Sequence, residues 1–154
     1  MLPYTYALEV HIRRIMMPKL RGHHLICLQF FHGEGFNAKF VDNLRMLRES
    51  TRDEPIDISA GTDDVCGKCP YLEGNACGYD ERAEEEIGEM DERALRLLGV
   101  APGSRAVWDE IREKLPRIFN EWHTVYCEAC DWRGACEKDD SYRRLRDTCL
   151  PELF

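Results

Sequence analysis

The chain has 154 residues, of which 44% are hydrophobic and 32% charged, and it carries a net charge of −8. This is the composition of one soluble globular domain with its own core, not of a disordered segment. The acidic balance argues against broad binding to nucleic acid or an anionic membrane, and charges interrupt every apolar run well short of a membrane span.

Tyr4, Tyr6, Leu8, Val10 and Ile12 alternate with polar or small neighbours, the period-two pattern of a half-buried strand. Met16-Met17-Pro18 follows, so Met17 is an alternative start that would make residues 1–16 an extension. Arg21 to Phe31 then reads as a helix. His24, Cys27, Leu28 and Phe31 share one of its faces, with His23 one turn before Cys27. A lone cysteine on such a face is usually a small buried hydrophobe. Two adjacent histidines on the same helix tip the balance toward ligation.

Gly33 and Gly35 end that helix, and Asn37 is placed to cap the next, with Phe36 and Val41 as its hydrophobic staple. Phe36, Phe40, Leu44 and Leu47 form a packing stripe that runs to about Glu49. After a polar turn over Thr51–Pro55, Ile56, Ile58 and Ala60 make a short strand suited to pair with the N-terminal one. Asp80 is placed to cap an acidic helix through Ile87, and Met90-Asp91 to open another that stops at Gly99. Glu84, Glu85, Glu86, Glu89 and Glu92 read as a solvated helix face. Pro102-Gly103 makes a turn, and Ser104 is placed to cap one long helix. Its apolar positions, from Val107 to Trp122, repeat through Pro116, which is expected to kink it, and two helices meeting there would give the same pattern. The basic end of the chain, with Arg143, Arg144 and Arg146, balances nearby acids or the charge of a cluster. Together these elements predict a mainly helical α+β domain over residues 1–154, with a small two-stranded sheet and metal-bound cysteine loops.

The chemistry lies in two cysteine triads. Cys66-x2-Cys69 is followed by Cys77, and Cys127-x2-Cys130 by Cys136. A CxxC turns two thiolates into one concavity, and glycines such as Gly67, Gly74 and Gly134 let the backbone follow. Eight cysteines without the pattern of a secretory leader point to the cytoplasm, where such clusters are metal ligands or redox centres more often than disulfides. The triads supply six thiolates, so two four-ligand sites lack two donors. Cys27 and one of His23 or His24 are the best candidates, since a helix end can set them between the triads. Cys149 and His123 are rivals at the second site, and His11 and His32 are also unassigned.

Iron–sulfur clusters and tetrahedral zinc both accept such ligands. The long gaps between second and third cysteines, Pro70 directly after Cys69, and the rings of Tyr71 and Trp132 within the loops favour one or two iron–sulfur clusters, of [4Fe–4S] type, with zinc as the alternative. The spacings of bacterial ferredoxins and of radical S-adenosylmethionine enzymes are absent from the triads. A thioredoxin-like dithiol would need a βαβ context that the pattern does not supply. HExxH, a nucleophile elbow and a phosphate-binding glycine loop are also missing. An iron–sulfur protein that passes electrons to a partner protein or senses redox state is one expectation. A zinc-stabilised binding module is the other.

The run Arg21-Gly22-His23-His24-Leu25-Ile26-Cys27, the Gly33/Gly35 pair, Asp63-Asp64-Val65-Cys66-Gly67-Lys68-Cys69-Pro70, and Cys127-x2-Cys130-x-Trp132-x3-Cys136 together resemble a domain-of-unknown-function family. Its members are small bacterial and archaeal proteins described as iron–sulfur binding. The resemblance covers roughly residues 18–138. It implies the triad cysteines, Cys27 and His23/His24 as ligands, and it implies no reaction.

Overall fold

The computed structural model describes residues 17–149. The strand expected over Tyr4–Ile12 lies outside them. Strand β1 (Lys19–Arg21) runs parallel to β2 (Ile56–Ser59), with Leu20 opposite Ile58. On the other edge of β2, β5 (Arg105–Ala106) pairs antiparallel, with Ala106 opposite Ile56. A separate hairpin, β3 (Leu72–Glu73) with β4 (Ala76–Cys77), sits inside the first triad. The expected two-stranded sheet is thus a three-stranded one plus this hairpin, and both edges of β2 are occupied by β1 and β5. Elements of two or three residues are too short for a periodic pattern to reveal them.

Six α-helices lie among the described residues: α1 (Gly22–Cys27), α2 (Ala38–Ser50), α3 (Ala83–Leu98), α4 (Trp108–Val125), α5 (Arg133–Cys136) and α6 (Asp140–Cys149). The domain is mainly helical α+β, as expected. None of these helices is long and apolar enough to cross a membrane. Helix α1 is shorter than its pattern suggests, because the chain tightens into a 3-10 turn over Leu28–Phe30. Asn37 caps α2 as expected, its side chain accepting the Phe40 N–H at 2.9 Å, and Gly99 ends α3 in the left-handed conformation at φ 71°.

Two boundaries differ from expectation. The acidic helix and its successor are one helix, α3, because Ala83, Asp91, Ala94, Leu95 and Leu98 present one continuous buried face. Gly88, inside α3, costs about 1 kcal/mol relative to alanine, too little to break so long an apolar stripe. Ser104 does not cap α4. Its hydroxyl donates to the Ala101 carbonyl, and the residues between it and the helix form β5. Helix α4 does run unbroken through Pro116.

The core gathers Leu20, Leu25, Ile26, Leu47, Ile56, Phe119 and Trp122, all with 0% exposure. Helix α1 lies at its centre, packed on α3 and α4. The contact with α3 is backbone to backbone: a Cβ on Gly22 would lie 2.4 Å from the Asp91 carbonyl oxygen. Only glycine permits that approach. Gly22→Ala is therefore expected to cost at least about 2 kcal/mol, lowering the melting temperature by roughly 5 °C or more. Gly88→Ala meets open space and should raise it slightly. Equal melting of wild type and Gly22→Ala would show that α1 and α3 are free to separate.

Candidate metal centre

At the start of α1 the two histidines diverge onto two buried carboxylates. His23 Nδ1 lies 2.7 Å from Asp91 Oδ1, and His24 Nδ1 lies 2.7 Å from Asp63 Oδ2. Their rings are 4.0 Å apart. Burial and the neighbouring His24 push the His23 pKa down to about 4 against the pull of Asp91. His23 is thus a neutral imidazole that donates from Nδ1 and keeps a lone pair on Nε2. This carboxylate–histidine pairing is the arrangement that orients metal-ligating imidazoles.

Asp63 organises the first loop. Its Oδ2 also accepts the Arg21 N–H at 2.7 Å, and its Oδ1 accepts the Val65 and Cys66 N–H groups at 3.0 and 3.1 Å. Among the described residues, the three ligand atoms that lie within 4.8 Å of one another belong to His24, Asp63 and Cys66. With four donors already on its two oxygens, Asp63 has no lone pair left for a cation. The donors that remain there are His24 Nε2 and the Cys66 sulfur, with Cys69 and Cys77 on the same loop. Burial works against the Asp63 charge, but His24 and the backbone donors hold its carboxyl well below the usual range.

A second network wires the same loop to α3. The Arg21 side chain, 1% exposed, donates from Nε to Asp91 at 2.6 Å and from both Nη atoms to Glu84 at 3.2 and 2.6 Å. Its Nη1 also lies 3.8 Å from the Cys66 sulfur. Glu84 accepts the Cys77 N–H at 2.9 Å. Glu84 is therefore not part of the solvated acidic face, although Glu85, Glu86, Glu89 and Glu92 are exposed as expected. Burial, followed by the Asp63 charge, pushes the Cys66 thiol up to about 12, with Arg21 opposing.

The second triad repeats the turn of the first. Cys69 N–H donates to the Cys66 carbonyl at 2.9 Å and Cys130 N–H to the Cys127 carbonyl at 3.2 Å. Cys69 and Cys130 close their 3-10 turns with nearly the same backbone, at φ −77°, ψ 133° and φ −78°, ψ 135°. Cys27, at the end of α1, belongs with this second group. Burial raises its pKa most, and Cys127, Cys136 and Cys130 are the charges that raise it further. Burial and mutual crowding likewise push Cys127 to about 12 and Cys136 to about 11. Trp122 faces Cys27 and Tyr142 faces Cys127. The indole Nε1 and the phenol oxygen are both buried, and neither makes a hydrogen bond among the described residues.

Helix α1 therefore sends His24 to the first triad and Cys27 to the second. His123 packs on Phe119 and Tyr142 beside the second group, at ring distances of 5.6 and 5.9 Å. His32 is exposed beyond α1. The Cys149 side chain and His11 lie outside the described residues. The two loops themselves meet through Phe36, whose ring is 5.0 Å from those of both Tyr71 and Trp132. The Tyr79 hydroxyl also donates to Asp131 at 2.7 Å. The expected rings thus stand between the loops.

Sequence reasoning missed Arg21, Asp63, Glu84 and Asp91. Asp91 leaves a signal, a lone acid on the apolar face of α3, and Asp63 sits three residues before a cysteine, where a capping carboxylate belongs. Asp63→Asn keeps the shape but removes charge from a site with four donors. It should cost about 2 kcal/mol or more and weaken metal retention at the first triad about 10–100-fold. The check is melting together with metal content after graded chelator dialysis. Asp64→Asn, at a side chain that accepts the Lys19 N–H at an exposed site, should change both little. Equal retention in Asp63→Asn and wild type would remove Asp63 from the site.

A sequence model described as "Protein of unknown function (DUF1284)" matches residues 35–136, a span that holds both triads but begins after the Arg21–Cys27 run. No curated protein and no solved structure matches the chain. Since the match covers about two thirds of its length, the chain belongs to the DUF1284 family of proteins of unknown function.

Proposed function

We propose that this protein is an iron–sulfur protein that carries electrons or senses redox state in the cytoplasm, working with a redox partner protein. Cys27, Cys127, Cys130 and Cys136 form one ligand set. Cys66, Cys69, Cys77 and His24, with His23 alongside, form the other. The observation that carries this reading is the placement of α1, which puts His24 beside Cys66 and Cys27 among the second triad. Each triad thereby gains its fourth donor from one short helix.

The donors fit a cationic centre. Seven free cysteines are present among the described residues, and several are half-buried in surroundings that disfavour a thiolate without a cation. One feature favours a cluster at the second set. Phe119, Trp122 and Tyr142 are buried on one side of it, and a shielded side of that kind sets a cluster's potential. A bound cluster would supply one-electron chemistry. The chain would hold it, shield it and tune it.

One observation favours zinc at the first set. Three cysteines and a histidine that leans on Asp63 are the donor set and outer shell of a structural zinc site. Metal and acid-labile sulfide analysis, with a visible spectrum, on protein purified without oxygen separates the readings. Iron with equimolar sulfide and a brown absorbance is expected. Cys130→Ser should empty the second set and Cys66→Ser the first, each with a marked loss of stability. Zinc without sulfide would replace the redox reading with a zinc-stabilised module, and full metal in both variants would overturn the ligand assignment.

A further inference from the structure

A cleft of about 720 Å³ opens between α2, α4 and α6, and none of the triad cysteines lines it. That is the size of pockets that hold small organic ligands. Among the described residues four arginines line it, Arg48, Arg112, Arg117 and Arg144, against one acid, Asp139. In a chain with a net charge of −8, this is a local inversion of sign, and a concave wall concentrates the field of such charges.

The cations are poorly compensated. Arg112 pairs with Asp109 at 2.8 Å, but at an exposed site where such a pair contributes little. The Arg117 and Arg144 guanidinium groups have neither a hydrogen-bond nor an ion-pair partner among the described residues. The flanking arginines of α6 are satisfied, Arg143 by Asp140 and Arg146 by Glu137. Arg144 is thus the one of the three that faces the cleft without an acid. Arg48 donates to the Phe31 carbonyl at 3.2 Å and sits over the Trp108 ring at 5.2 Å. Burial lowers its pKa, Arg52 and Arg112 lower it further, and Asp139 opposes them. Asp139 is itself engaged by the Tyr142 N–H and the Ser141 hydroxyl.

We propose that this cleft binds a small organic polyanion, with Arg117 and Arg144 gripping its phosphate or carboxylate groups and Arg48 and Arg112 completing the cationic wall. Every cation in the lining is arginine, whose planar fork matches the oxygens of phosphate and carboxylate in pairs. The carbon skeleton of the ligand rests on Leu115, Pro116 and Leu145.

Isothermal titration of the full-length, metal-loaded protein with ATP, pyrophosphate and citrate tests this. At least one probe should bind, and preference among the three tells a phosphate ligand from a carboxylate one. Arg117→Ala/Arg144→Ala should weaken that probe at least about tenfold, and the affinity should fall with added salt. Arg117→Lys/Arg144→Lys, which keeps the charge and removes the forks, should recover part of the loss. Arg93→Ala, on α3 and paired with Glu121, should bind as wild type does. Binding of none of the three probes would overturn the proposal. So would equal binding by Arg117→Ala/Arg144→Ala and wild type.

Discussion

A buried carboxylate that cannot reach water must have its oxygens met by donors, and in this protein that requirement falls on Asp63. Its side chain is 0% exposed, and its four donors come from β1, α1 and the first cysteine loop. Each of those segments is too short to hold its shape alone. The carboxylate fixes where β1 ends, which way His24 faces and how the backbone approaches Cys66. Asp91 does the same on the other side, binding Arg21 and both the backbone and ring of His23. The run Arg21-Gly22-His23-His24 is thus a single device. One cation and two imidazoles meet three acids, Asp63, Glu84 and Asp91, and a glycine lets α1 come close enough for them to do so.

The two triads share a turn but not a setting. Around the first, Arg21, Glu84, Asp63 and the histidines form a charged and hydrogen-bonded frame. Around the second, Phe119, Trp122 and Tyr142 cover the side of Cys27 and Cys127, while Cys130 is exposed. Burial holds Cys66 and Cys127 alike as thiols and leaves it to a metal to compensate their charge, but their partners differ, a guanidinium beside Cys66 and a phenol beside Cys127. Two centres built on the same CxxC turn would therefore differ in metal preference or potential, because the outer shell and not the turn decides those properties.

Most of the candidate donors come from spacing alone, since a CxxC and a nearby third cysteine need no tertiary information. The association of Cys27 and His24 with different triads was open in the sequence, where the two residues share a helical face. The fold separates them by placing α1 between the loops, so that the turn from His24 to Cys27 spans the gap. Asn37, Gly99 and the packing stripe of α2 were legible because capping and 3.6-residue periodicity are local. The continuity of α3 was not, since Gly88 is a breaker by propensity and a tolerated residue once Ala94, Leu95 and Leu98 are buried. Arg21 and Glu84 escaped for a related reason. Charged residues read as surface in a sequence, and only the tertiary fold shows that their charges cancel each other inside it.

Helix α1 has six residues, fewer than an isolated helix needs to persist in water. It has no side-chain cap and no acid in its first turn. What holds it are the carboxylates at one end, the apolar contacts of Leu25 and Ile26, and the cysteine loops into which His24 and Cys27 reach. Two of those three supports involve candidate ligands. The core and the carboxylates hold α1 in place before any metal arrives, so His24 and Cys27, the two candidate fourth donors, are set by the same short helix and by the same fold.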